Sequence, residues 1–176
     1  MLLNKIPCLD KGYVALISSS CTSDRLAEVV REFFKKDDQL FLREMSTLTL
    51  IIKCPLFVQL NLSTHDLKII SIPPTEIDAY IPNVGEIGSP DLETSRNISA
   101  NIKMTTDALL INPKAYQDDG CDRFMSQVIT PINTYTTILV HGSYNEWKKF
   151  CNKKGIPEPV KAYIKAVTQI MNVEWR

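Results

Sequence analysis

The chain has no apolar run near the roughly 20 residues a membrane-spanning helix needs, and its start lacks the basic, apolar and small-residue succession of a secretory signal. The expectation is a protein that stays in the cytoplasm, with no membrane partner. Charge of one sign is not in surplus either, since 20 Lys and Arg balance 20 Asp and Glu. Nucleic-acid-binding domains show a basic excess or stripe, so no nucleic-acid partner is expected. Cysteine is sparse and scattered: Cys8, Cys21, Cys54, Cys121 and Cys151 are odd in number and form no Cys-x-x-Cys pair. That spacing excludes a disulfide framework and a zinc site, and leaves reduced thiols that act as small packing residues. Histidine is rarer still, with only His65 and His141, and the chain shows no internal repeat and no low-complexity tract.

What is present suits one domain over residues 1–176, long enough to bury roughly 70% of its unfolded surface. Tyr13 to Ile17 reads as a short strand, and Ser23-Asp24 supplies an N-cap and first-turn acid for a helix through Lys36. Thr47 to Ile52 is a β-branched and leucine run that suits a buried strand. Pro55 fits the first turn of a helix from Leu56 to about Leu62, where its missing N–H is not needed. Leu67 to Ile72 reads as a strand that Pro73-Pro74 terminates. Residues 73–96, rich in proline, acids and turn signals, read as a long flexible loop, equally suited to a lid or a linker. A helix is expected from about Cys121 to Ile129, interrupted by Pro131. Ile138-Leu139-Val140, Trp147 and Phe150 supply core, and His141 beside Gly142-Ser143 reads as a turn residue. The last helix opens at Pro157 and Pro159 and carries Val160, Tyr163, Ile164, Val167, Ile170 and Met171 at a 3,4 spacing. This mixture of strands and amphipathic helices gives an α/β or α+β class.

Three blocks of the chain then resemble the flavin-dependent thymidylate synthases, the ThyX family. The first is Leu9-Asp10-Lys11-Gly12-Tyr13-Val14-Ala15-Leu16-Ile17. The second runs from Glu44 through Leu48 to Val58, similar to a Glu-His, strand, then Ala-Pro-Ile-Phe-Val succession. The third, Gln127 to Thr136, is similar to Arg-x-x-Leu-Pro-x-x-x-Tyr-Thr, with Tyr135 in the tyrosine position, and Trp147 to Asn152 resembles a Phe-Leu-x-x-Arg region. The resemblance implies a small sheet flanked by helices, four subunits with clefts between chains, and a site for nucleotide and FAD.

The chain departs from that family where its charge should be. The Arg-His-Arg signature falls on Thr64-His65-Asp66, with Ile69 and Ser71 near the later polar positions and Lys68 able to line a pocket with the first three. The other arginines fall on Gln127 and Lys154, and of the flavin-holding surroundings only Glu44 is kept. Each charge-assisted bond contributes roughly 1.5–3 kcal/mol, so losing about three arginines weakens phosphate binding on the order of a thousandfold. Asp66 adds like-charge repulsion, and Lys154 lacks the planar fork of arginine. His65 reads as a polar residue at a helix end rather than a base, because Asp66 is its chain neighbour and not a partner set opposite it.

The expectation is therefore a non-catalytic ThyX-like protein with no cofactor, binding a nucleotide-like small molecule in a remodelled inter-subunit cleft. Its ligand residues would be Thr64, His65, Asp66, Lys68, Ser71, Gln127, Lys154, Glu44 and Tyr135. Such a cleft suits a viral protein that sequesters a nucleotide signal of host defence in the host cytoplasm. The alternatives are a flavin-dependent enzyme acting on dUMP or another nucleotide, with FAD, and a structural subunit paired with an intact relative.

Overall fold

The computed structural model describes residues 4–20, 28, 32, 45–72, 78–87, 91–119 and 130–175, with the side chains of 112–117 left aside. The expected helix to Lys36, apart from Glu28 and Glu32, and the expected helix at 121–129 lie outside those residues. The described residues form an α+β fold whose chain divides into two compact units.

The first unit comprises residues 1–54, 58–73 and 136–176 and holds the sheet. Strand β1 (Lys5–Cys8) returns through a three-residue turn into β2 (Gly12–Ser20), pairing Lys5 with Ala15 and Cys8 with Gly12. That turn holds Leu9 at φ 56°, a left-handed conformation uncommon for a residue with a side chain. Strand β3 (Thr47–Pro55) pairs antiparallel with β2, with a register shift between Leu16 and Ser18. Strand β4 (Lys68–Ile72) pairs antiparallel with β5 (Tyr135–Ser143), and the sheet order is β1-β2-β3-β5-β4. The central β3 and β5 also run antiparallel: Tyr144 N–H donates to Ser46 O, while Thr49 Oγ1 meets His141 Nδ1 at 2.8 Å. His141 is thus a strand residue on β5, not a turn residue, because Gly142-Ser143 continue the strand.

Period-two alternation on β3 buries Leu48, Leu50, Ile52 and Cys54 completely. Val14 of β2, Ile138 and Val140 of β5, and Val58 and Leu62 of helix α1 (Leu56–Leu62) are fully buried as well, and Ala15, which alternates to the other face of β2, is fully buried there. Helix α3 (Tyr144–Cys151) adds Trp147 and Phe150, and α4 (Glu158–Glu174) adds Val160, Tyr163 and Val167. Ser143 caps α3 by accepting from Glu146 N–H, and the Glu146 carboxylate accepts from Ser143 N–H in return.

The second unit, residues 55–57 and 74–135, contains a 3₁₀ turn (Val84–Glu86), an isolated bridge between Ala79 and Thr134, and helix α2 (Leu92–Asp118). The loop expected to Arg96 is helical from Leu92. Asp91 starts that helix: its carboxylate accepts from Thr94 N–H at 2.7 Å and from Glu93 N–H at 3.4 Å, and Asp91 O accepts from Ser95 N–H. The bonds from Thr94 hold the Asp91 carboxyl below the usual carboxylate range.

Gly12 sits where no side chain fits, since a Cβ there would lie 2.0 Å from Tyr163 Oη and 2.7 Å from Cys8 O. Tyr163 is fully buried and donates its hydroxyl to Lys53 O at 3.1 Å, so it has little room to retreat. Gly12→Ala is expected to lower unfolding free energy by about 1–3 kcal/mol, the usual cost of overpacking. Urea denaturation checks this, and a change below half a kcal/mol would contradict the packing described.

Candidate functional site

Helix α1 ends in the turn that carries Thr64-His65-Asp66. Ser63 Oγ donates to Gln59 O at 2.9 Å and Thr64 Oγ1 donates to Asn61 O at 2.8 Å, so these two hydroxyls close the helix C-terminus. His65 N–H donates to Leu62 O at 3.1 Å. The imidazole ring does not cap the helix; it packs edge-on against Phe150 of α3, centroids 5.6 Å apart.

A lysine completes this cluster from the far side of the sequence. Lys153, in the turn after α3, donates from Nζ to Thr64 Oγ1 at 3.0 Å. Lys154, the residue expected among the ligand groups, is its chain neighbour, and both lysines are exposed. Lys149, one helical turn earlier, adds its charge to the same neighbourhood. The signal available was the pair of lysine doublets at 148–149 and 153–154 flanking the expected core residue Phe150.

These neighbours set the state of His65. Burial pushes its pKa below the ordinary value of 6.5, the Lys153 and Lys149 charges push the same way, and Asp66 opposes them. His65 Nε2 is shielded from solvent and has no hydrogen-bond partner. The turn therefore presents a hydroxyl, a neutral imidazole favoured over the charged form, two ammonium groups and one exposed carboxylate. It can accept and orient an anion through Lys149 and Lys153, and Asp66 weakens that attraction.

The other expected residues are placed differently. Lys68 and Ser71 are exposed on β4, Lys68 paired with His141 in register, and Ser71 Oγ accepts from Gln59 Nε2 at 3.3 Å. Tyr135 is buried at the start of β5, 2% exposed, and is counted with the second unit. Glu44 and Gln127 lie outside the described residues. Among the cysteines, burial raises the Cys8 thiol to about 12 and pushes Cys54 and Cys151 upward too, which suits packing rather than nucleophilic attack. Cys21 and Cys121 lie outside the described residues. Among the described residues no group of three or more His, Cys, Asp or Glu side chains is arranged to hold a metal, and no helix is long and apolar enough to cross a membrane.

The second unit has a groove of its own, about 620 Å³ in volume, with Phe57, Tyr80, Ile102, Leu109, Pro131 and Ile132 on its walls. Phe57 and Tyr80 meet edge-on at 6.0 Å. Asn133 Nδ2 braces the wall by donating to Tyr80 O at 2.8 Å and to Thr106 Oγ1 at 3.0 Å.

The architecture defines a class first, an antiparallel five-stranded sheet with helices packed on it. The fold is similar to that of PolB, a UMP/dUMP methylase from Streptomyces cacaoi whose structure was solved with 5-Br UMP. The two are 13% identical, the match covers 95% of this chain and 91% of that one, and the TM-score is 0.68. At that identity the likeness is one of fold. No protein-family model matches the chain, and no curated protein matches its sequence.

The state of His65 has a consequence for stability. Its pKa is lower in the folded chain than in the unfolded one, so between those two values the unfolded chain binds more protons and stability rises with pH. Stability is thus expected to fall as pH drops below about 6.5, and His65→Gln should flatten that slope between pH 7.5 and 5.5. Thermal melts of both proteins across that range are the check; equal slopes would show that His65 is not held neutral.

Proposed function

We propose that this chain binds a nucleotide-like, phosphate-bearing small molecule and does not transform it. The observation that carries the reading is the cluster at the end of α1. Lys153 reaches Thr64, the partner given to its ammonium is a neutral hydroxyl, and Lys149 stands close enough to act on the same imidazole. Ammonium groups grip phosphate as point charges without the two-bond geometry of arginine, which suits capture more than alignment for reaction. The fold likeness to a UMP/dUMP methylase supports the ligand class.

Helix α2 supports an assembly of several copies. Of its described side chains only Ser95 and Thr106 are buried, while Leu92, Ile98, Met104 and Ile111 are exposed. A helix of 27 residues spans about 40 Å, and most helical stability in water comes from a packed apolar face. Copies of the same chain would cover that face, making a homo-tetramer with ligand clefts between chains. In biological terms this suits a cytoplasmic viral protein that sequesters a nucleotide signal of host defence and so evades immunity.

The second reading is an enzyme, favoured by the fold likeness to a methylase. The residues at the α1 turn do not fit the flavin such a reaction would draw on. Asp66 would face pyrophosphate where the resembled family has arginine, and Thr64 already donates its hydroxyl to Asn61 O. No step through a flavin is therefore part of the proposal.

Titration calorimetry with UMP, dUMP and cyclic dinucleotides tests the binding reading. At least one is expected to bind, with Lys153→Met weakening it about tenfold or more, which corresponds to about 1.4 kcal/mol. Asp66→Asn should strengthen it by removing repulsion. Unchanged affinity in both variants would move the ligand away from this turn, and turnover of dUMP by the purified chain would establish the enzyme instead.

A further inference from the structure

The two outer strands of the sheet are built differently. At one end lies β1, four residues long, interrupted by Pro7, which has no N–H to offer, and charged by Lys5. Native sheets blunt an exposed edge in this way, with prolines, charges and short strands. At the other end lies β4, Lys68-Ile69-Ile70-Ser71-Ile72, whose one charge stands at its first residue and whose prolines begin only beyond its end. Three of its five residues are isoleucine, a residue type that suits a covered strand, yet four of the five are exposed.

One edge of β4 pairs with β5, Ile69 with Val140 and Ile70 with Leu139, and among the described residues no strand pairs with its other edge. Alternation puts Ile69 and Ser71 on one face, where Ile69 is half-buried and Ser71 meets Gln59 of α1. Ile70 and Ile72 fall on the opposite face, 64% and 37% exposed. This edge is complementary to itself. Laid antiparallel against a second copy with Ile70 on the two-fold axis, all five residues find a partner: Ile70 faces Ile70 of the copy, Ile69 faces Ser71, and Lys68 faces Ile72. The two lysines then stand about 13 Å apart along the strands, whereas a parallel pairing would set one directly against the other, which is unfavourable.

We propose that the open edge of β4 docks the same edge of a second copy of this chain, antiparallel about Ile70, so that one sheet continues through both copies. The proposal rests on the assembly of several copies read above and adds to it a contact that α2 does not make. Four copies held by two-fold symmetry need two different contacts; α2 supplies one and β4 the other.

Sedimentation equilibrium of the full chain tests this in the wild type, in Ile70→Lys, in Ile70→Glu and in an equimolar mixture of the two variants. Ile70 is exposed, so both variants are expected to keep the wild-type melting temperature closely. In each variant alone, like charges meet on the axis and dissociation should be at least about tenfold easier; in the mixture opposite charges meet and the wild-type affinity should return. Four copies falling to two in each variant, with recovery in the mixture, would support both contacts. A wild type of two copies falling to one, with the same recovery, would keep the β4 contact and remove the one at α2. Unchanged association in both variants, or no recovery in the mixture, would overturn the β4 contact and leave the assembly through α2 standing. A wild type that stays a single copy would overturn both.

Discussion

Two backbone carbonyls of β3 hold the fold in register. Leu48 O accepts from the Trp147 indole and Lys53 O accepts from the Tyr163 hydroxyl, each at 3.1 Å. Both donors are fully buried, so each bond satisfies a polar group that would otherwise be orphaned in the core. A slip of β3 by one residue would turn Leu48, Leu50, Ile52 and Cys54 away from the core and displace both acceptors. Helices α3 and α4 are therefore fixed to the sheet at set points. Their positions in turn bring Lys149 and Lys153 to the end of α1.

Elements with strong local patterns were legible in the chain. The strand beginning at Thr47, the helix Leu56–Leu62 and the last helix with its buried Val160, Tyr163, Val167, Ile170 and Met171 follow from β-branching, proline placement and 3,4 spacing. Helix α2 was not legible. Its sequence mixes Ser, Thr and Asn with scattered apolar residues, it continues through Pro113, and among its described side chains Leu92, Ile98, Met104 and Ile111 are exposed while Ile102 and Leu109 are half-buried, so no single buried apolar face forms. Strand β1 was hidden for a related reason, since Pro7 within it argues against a strand except at a sheet edge, which is where it lies.

The candidate site was half legible. Thr64 and His65 were singled out by what they replace, and the structure sets both beside a lysine. The lysine that bonds Thr64 is Lys153, the neighbour of the expected Lys154, because spacing beyond a helix end does not determine which of two adjacent side chains turns back. Lys68 and Ser71 lie exposed on the edge strand, so the polar residues after the signature do not all gather at one point. This turn differs from an arginine-lined anion site in offering flexible ammonium groups rather than planar forks, with an imidazole whose pKa is lowered and the exposed Asp66 beside them.

Native mass spectrometry of the freshly purified full chain, with identification of any small molecule released on denaturation, tests the central claim most directly. The account predicts an oligomer of this chain that carries, or takes up from a nucleotide mixture, a phosphate-bearing molecule without altering it. A flavin released in stoichiometric amount, or a monomer that takes up no nucleotide, would contradict it.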